Sequence, residues 1–319
     1  MSTPQDGCSE PFTTLRGSGR RNLIKYLIAF VALLPGCLQP SDKGTSHTRT
    51  EPAERVPSST QTGAEAPIET DGGQPESPTS EGIAILLFSA TEGYRHENIE
   101  YGLQQLEGLK SRIAETTGME SIDIKTIPQD ASQFPPEFSK IEKYDTIVWF
   151  NTTGDVLDDS QQAAFEQYIE DGGGYAGIHA ATDTEYDWDF YGHLIGGAYF
   201  SDHPAVQEAE IEVTDRTHPS TDHLPARWTV TDEWYDFQTN PHDAVRVLAT
   251  LDEDTYEGAT MPGNDHPIVW CRELQNGRAW YTGRGHTKEA FDEEAFLEHV
   301  LGGILWAGGL VDHEPTSTN

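Results

Sequence analysis

GGGYAGIHAATDTEYD, residues 172–187, is the stretch whose reading decides the fold. Glycines lead into a short apolar strand, Gly174 to Ile178; His179 stands where that strand ends, and a loop dense in Thr, Asp, Glu and Tyr follows. An α/β protein presents polar groups in this way at the carboxyl end of a parallel strand, where ligands bind. Upstream, Ile83 to Phe88 is a continuous apolar run, as expected of a strand buried on both faces. Ile99, Leu103, Leu106, Leu109 and Ile113 then recur at helical spacing up to Gly118. Ile122 to Ile127, closed by Pro128, and Tyr144 to Phe150 are two more strands. Asp158 and Asp159 open a helix whose apolar positions Ala164, Phe165, Tyr168 and Ile169 run to a stop at Gly172. This alternation predicts an α/β domain with a mostly parallel, doubly wound sheet flanked by helices. Downstream, Trp188 to Phe200 reads as a short helix and a turn, and Ile211 to Val213 and Val245 to Thr250 as strands. Pro267 to Leu274 and Arg278 to Thr282 flank Asn276-Gly277 as a hairpin, and Glu289 to Ala307 is a last helix.

The chain ends are of a different kind. Residues 1–37 read as an export signal: Arg20 and Arg21 resemble a twin-arginine motif, and the apolar run from Tyr26 to Leu34 is too short to span a bilayer. Leu34-Pro35-Gly36-Cys37 then looks like a lipobox in which Cys37 takes the lipid; the plain alternative is an uncleaved anchor on the same side of the membrane. Residues 38–80, rich in Ser, Thr, Pro, Glu and Gly, form an acidic tether that cannot bury enough apolar surface to order itself. The domain is expected over 81–312, followed by a tail over 313–319. The expected location is therefore the cell surface or periplasm, as a membrane-anchored lipoprotein touching the membrane only through its lipid.

Of the three cysteines, only Cys37 and Cys271 survive cleavage, and a lipidated Cys37 cannot cross-link, so no disulfide is expected. The formal net charge is −34, from 20 Lys+Arg against 54 Asp+Glu. Affinity for nucleic acid comes mainly from Lys and Arg neutralising phosphates, so nucleic acid is excluded as a partner. The acidity is read as a solvated, halophilic type of surface, stable where salt screens self-repulsion.

The strand ends converge on one rim. After the first strand come Tyr94 and His96; after the third, Asn151-Thr152-Thr153-Gly154; after the fourth, His179, Asp183 and Asp187; and after the hairpin, Gly283-Arg284-Gly285-His286. Each has a plain alternative: His96 as a helix cap, the Asn151 segment as an ordinary turn, His179 as a core histidine, and His286 as part of a flexible turn. Two more clusters, Ser201-Asp202-His203-Pro204 and Asp232-Glu233-Trp234-Tyr235, join carboxylates, imidazole and aromatic rings, a combination that holds sugars by stacking and hydroxyl bonding. Other chemistries are set aside. Neither G-x-S-x-G nor a P-loop nor a dinucleotide glycine fingerprint is present, and no H-x-x-x-H or C-x-x-C pair exists, so a metal would have to be gathered from separate loops.

Asn151 to Asp155, Gly172 to Asp187, Tyr199-Phe200 through His203-Pro204, Asp232 to Tyr235, Asp265-His266-Pro267-Ile268 with Trp270, and Gly283 to His286 together resemble the ThuA-like, or trehalose-utilisation, family. The resemblance implies a single flavodoxin-like domain similar to class I glutamine amidotransferases, carrying the C-terminal hairpin and helix. It does not carry glutamine hydrolysis, because His179 stands in the neighbourhood of the amidotransferase nucleophile. It also implies trehalose-type disaccharides or their keto derivatives as substrates, and a sugar oxidoreductase in the same pathway.

Three functional readings follow. In the first, His179, Asp183, Glu233 and His286 do acid–base chemistry on a sugar, as a hydrolase, lyase or isomerase. His96, Asn151, Thr152, Asp187, His203, Trp234, Tyr235 and His266 bind the substrate, with Trp234 or Tyr235 as its platform. In the second, His179, His203 and His286 with carboxylates gather a divalent metal. In the third, a surface lipoprotein binds sugars without chemistry. The first two require His179, His203, Glu233 and His286 to share one pocket.

Overall fold

The structure, a computed structural model, describes residues 82–313. The export signal, Cys37, the tether and residues 314–319 lie outside the described residues.

The first βα unit is β1 (Ile83–Phe88) with α1 (Ile99–Glu107) and α2 (Lys110–Thr117). The single helix expected up to Gly118 is broken at Gly108-Leu109, where glycine contributes no side-chain packing and α2 starts afresh. Then come β2 (Ile122–Ile127), the short α3 (Phe138–Ile141), β3 (Thr146–Phe150) and α4 (Asp159–Glu170). The start of α4 is fixed by a capping box: Asp158 accepts from the Ser160 and Gln161 amides, and the Gln161 side chain accepts from the Asp158 amide at 2.9 Å. After β4 (Gly174–Ile178) follow α5 (Asp189–Leu194), β5 (Phe200–Asp202), β6 (Gln207–Val213), β7 (Arg227–Asp232) and β8 (Asp236–Phe237). The chain closes with β9 (Arg246–Asp252), β10 (Pro267–Leu274), β11 (Gly277–Thr282) and α6 (Glu294–Ala307). The helix expected from Glu289 begins as a 3₁₀ turn, Glu289–Asp292, before α6 proper.

Nine strands form one sheet in the order β2-β1-β3-β4-β11-β10-β9-β6-β7. From β2 to β11 every pairing is parallel, with β11 beside β4 in register Ile178 to Thr282. Beyond β11 every pairing is antiparallel. The expected mostly parallel sheet is therefore correct for one half only. After Asp187 no helical crossover joins consecutive paired strands, and β6–β7, β9–β10 and β10–β11 fold back on one another through turns and irregular links as antiparallel neighbours. The strand β7, which sequence reading missed, shows the period-2 pattern plainly: Trp228, Val230 and Asp232 are buried, while Arg227, Thr229 and Thr231 are exposed.

Trp149, Tyr175, Tyr191 and Trp280 are fully buried in the core around the sheet. Helix α6 lies against β11 and β4, where Gly303 lets it approach: a Cβ there would stand 2.3 Å from the Trp280 ring. A separate two-stranded sheet, β5 with β8, lies between β4 and β9 in sequence and brings the segment before His203 beside the segment after Glu233.

Candidate functional site

The parallel strands β1, β3, β4 and β11 all end on the same edge, and their last residues deliver the polar groups. His179 follows β4 directly and takes φ +50°, a left-handed conformation that costs a non-glycine residue of order 1 kcal/mol and recurs at functional sites. Its ring is fully buried, and Nδ1 lies 2.9 Å from the Gly283 carbonyl. A carbonyl only accepts, so Nδ1 carries the proton and the Nε2 lone pair of the neutral ring points away from it.

That lone pair enters a crowded space. His179 Nε2 is 3.2 Å from His286 Nδ1 and 3.4 Å from Glu233 Oε2, and His286 Nδ1 is 3.0 Å from the same oxygen. The ring of His96 stands edge-on to both histidines, at 5.0 Å from His179 and 5.1 Å from His286. One donor nitrogen or oxygen from each of His96, His179, Glu233 and His286 lies within 4.8 Å of the others, and His96 Nδ1 is buried without any hydrogen-bond partner. His203 closes the outer side, with Nδ1 3.2 Å from Glu233 Oε1.

The electrostatics follow from this packing. Burial, reinforced by the neighbouring His179 and His286, holds the His96 imidazole down at about 2, so it is neutral. Burial works against the Glu233 charge, but the His179 and His286 imidazoles beside it outweigh that and hold the carboxyl below its usual range. For His286, burial pushes the pKa down, yet the Glu233 carboxylate prevails and the net shift is upward.

Asp232 builds the frame. Fully buried, it accepts from the Glu233, Gly285 and His286 amides, each at 3.0 Å, and from Arg284 Nε at 3.3 Å. Arg284 is buried too, between the Trp228 ring at 4.4 Å and the Phe296 ring at 4.8 Å, and it also binds Glu293. A single carboxylate thus fixes the backbone that carries both Glu233 and His286.

A cavity of about 330 Å³ opens onto this group, lined by Tyr94, His96, Asp183, Phe200, His203, Glu233, Tyr235 and His286. The Tyr235 ring lies 4.3 Å from the His179 ring, and Tyr94, 62% exposed, stands at the mouth. Asp183 accepts from Tyr186 Oη at 2.6 Å; burial raises its pKa more than that bond lowers it.

The structure therefore brings His179, His203, Glu233 and His286 together, with His96, Asp183 and Tyr235 beside them. Five expected substrate contacts are elsewhere. Trp234 is fully buried with Nε1 donating to the Gln207 carbonyl at 3.0 Å, so its ring offers no sugar platform. Adjacent residues of an extended segment face opposite sides, and Glu233 and Tyr235 take the cavity side. Asn151 is buried and donates to Asn98 Oδ1 at 2.9 Å, and Thr152 is buried against the Thr184 hydroxyl at 2.9 Å; both hold loops together. Asp187 is exposed outside the cavity lining, and His266 sits in a separate buried cluster. Asp232 and Arg284 were the residues sequence reasoning left without a role. The signal was present in the acidic pair Asp232-Glu233 and in an arginine flanked by Gly283 and Gly285.

Residues 84–307 match the family model for ThuA, trehalose utilisation. The chain belongs to the ThuA family. The family's description associates it with sugar metabolism. A ThuA-like protein from Bacteroides uniformis is 26% identical, with 74% of this chain and 95% of that one covered and a TM-score of 0.57. One from Parabacteroides merdae is 24% identical over 74% of this chain and 94% of its own, with a TM-score of 0.56. No curated protein matches the chain.

Proposed function

We propose that this ThuA-family protein is a metal-dependent enzyme acting on a trehalose-type disaccharide or its keto derivative in the cavity above Glu233. We read the parallel half of its sheet as the flavodoxin-like core of the family. The observation that carries the proposal is the spacing of His179 Nε2, His286 Nδ1 and Glu233 Oε2, at 3.0, 3.2 and 3.4 Å. Ligands bound at about 2.0–2.1 Å around one transition-metal ion stand roughly 3.0–3.4 Å apart. Hydrogen bonding accounts for the group less well. A proton on His286 Nδ1 serves Glu233, but among the described residues His179 Nε2 is then left without a donor, and His96 Nδ1 is buried without a partner. Three imidazoles and one carboxylate suit a first-row divalent ion.

Such an ion polarises a bound carbonyl or water. The chain's own residues do the rest. Gly283 holds the His179 tautomer through its carbonyl, as backbone groups do for ligating histidines. Tyr235, Phe200 and Tyr94 offer ring faces to the sugar, and Asp183 and His203 are placed to exchange protons with its hydroxyls. We propose likewise that the chain is exported as a lipoprotein, so that this chemistry lies outside the cytoplasm and is supplied by an oxidoreductase that makes keto sugars.

A second reading has one observation in its favour: the His286 pKa raised by Glu233 describes a proton-sharing pair that could act alone. Metal analysis with turnover of keto-disaccharides separates the two. The first reading expects activity that falls with chelation and returns with the metal. Full turnover by metal-free protein would leave acid–base chemistry alone.

A further inference from the structure

A second cluster, buried beneath the cavity wall, contains Asp236 at the start of β8, Glu253 just after β9 and His266 just before β10. Each offers a donor atom, and the three donors lie within 4.8 Å of one another. His266 is fully buried, with Nε2 2.9 Å from the Tyr235 carbonyl, so Nε2 bears a proton and Nδ1 is turned to the cluster. Around Nδ1 stand Glu253 Oε1 at 3.0 Å, Tyr256 Oη at 3.1 Å and Asp236 Oδ1 at 3.9 Å.

The charges do not close. Asp236 is 1% exposed; Thr260 Oγ1 donates to its Oδ2 at 2.5 Å, but its Oδ1, which points at His266, has no partner. Among the described residues, no Lys or Arg pairs with Asp236 or Glu253, and His266 is the one basic side chain beside them. A proton on His266 Nδ1 would serve Glu253 and still leave Asp236 Oδ1 bare. Buried charge without a counter-charge is costly, and a bare buried acceptor calls for an explanation.

We propose that Asp236, Glu253 and His266 form a second cation site, distinct from the histidine cluster, that takes a first-row divalent ion. One imidazole nitrogen with two carboxylates is the donor set for manganese, iron or zinc more than for magnesium or calcium. The ion would tie β8, the turn after β9 and the start of β10 together behind Tyr235, whose carbonyl holds His266 and whose ring rests on His179. The site braces the cavity wall and takes no part in the reaction.

The test removes the histidine cluster first. His179→Ala protein is dialysed against manganese or zinc chloride, then against buffer, and its bound metal is counted. We expect about one equivalent, coupled to stability in the manner of structural metals, with a lower Tm after chelation. Adding Asp236→Asn should abolish both the metal and the Tm response. Should that variant fail to fold, Glu253→Gln, at a side chain only 8% exposed, serves the same purpose. His179→Ala protein that holds no metal, with a Tm indifferent to metal and chelator, overturns the proposal. Wild-type protein with one equivalent that His179→Ala loses overturns it as well while leaving the histidine centre standing.

Discussion

Replacing Asp232 with asparagine tests the frame of the site. The substitution keeps the shape and removes the charge. At present Oδ1 accepts from the Glu233 and His286 amides, and Oδ2 from the Gly285 amide and Arg284 Nε. The asparagine oxygen can serve only one of these pairs, so its NH₂ group must face two donors. One stranded buried N–H costs about 1–3 kcal/mol, and a lost hydrogen bond to a charged group about 1.5–3 kcal/mol. The expected loss is then roughly 3–5 kcal/mol, the range found when a buried ion pair loses one partner. Arg284 retains Glu293, whose side chain is 38% exposed, so Glu293→Gln should cost less than about 1 kcal/mol. Urea unfolding at pH 7 measures both variants, and bound metal in the folded Asp232→Asn protein should fall because His286 and Glu233 lose their anchor. If Asp232→Asn cost less than about 1 kcal/mol and left metal content unchanged, the frame described here would be wrong.

Gly285 sits at φ +120°, and a Cβ there would lie 2.8 Å from Ile178 Cγ2, so Gly285→Ala should both destabilise the fold and displace His286, lowering kcat more than it raises KM. Trp234→Phe should cost about 1 kcal/mol for the lost bond to Gln207, with KM for any accepted sugar unchanged; a large rise in KM would restore Trp234 as a substrate contact. Stability should also depend on pH. Burial depresses His218 and His299 to about 3, so their contribution to stability is present above pH 6.5 and is lost as pH falls from 6.5 towards 3. Burial raises Glu185 to about 7, so its contribution runs the other way and is lost as pH rises from 4.5 to 7. From pH 6.5 to 5 the two histidines cost roughly 3 kcal/mol and Glu185 returns roughly 2, so these three groups together lose about 1–2 kcal/mol. Glu185→Gln should steepen the loss by roughly 1 kcal/mol per pH unit, and an unchanged slope in urea melts across that range would refute the assignment.

Much of this was legible in the chain because the parallel half obeys local rules. The apolar run Ile83 to Phe88, the capped helix from Asp158 and the Asn276-Gly277 turn all announce themselves within a few residues. His179 was readable as a strand-end group from its glycine-rich approach. The antiparallel half was less legible, since β6, β7 and β9 are joined by irregular links and are set by pairing between distant segments. Trp234 looked like a platform because composition does not show which side of an extended segment faces the cavity. The roles of Asp232 and Arg284 were hidden for a related reason: both act through residues 52 positions away or through rings on other elements.

The central claim is that His96, His179, Glu233 and His286 hold one divalent ion. The most direct measurement is anomalous scattering from crystals of protein purified without chelators or added metal, collected on either side of the absorption edges of manganese, iron and zinc. A strong peak is expected within bonding distance of all four side chains, present above one edge and absent below it. A water molecule or empty density at that point, in crystals of protein that turns over its sugar, would contradict it.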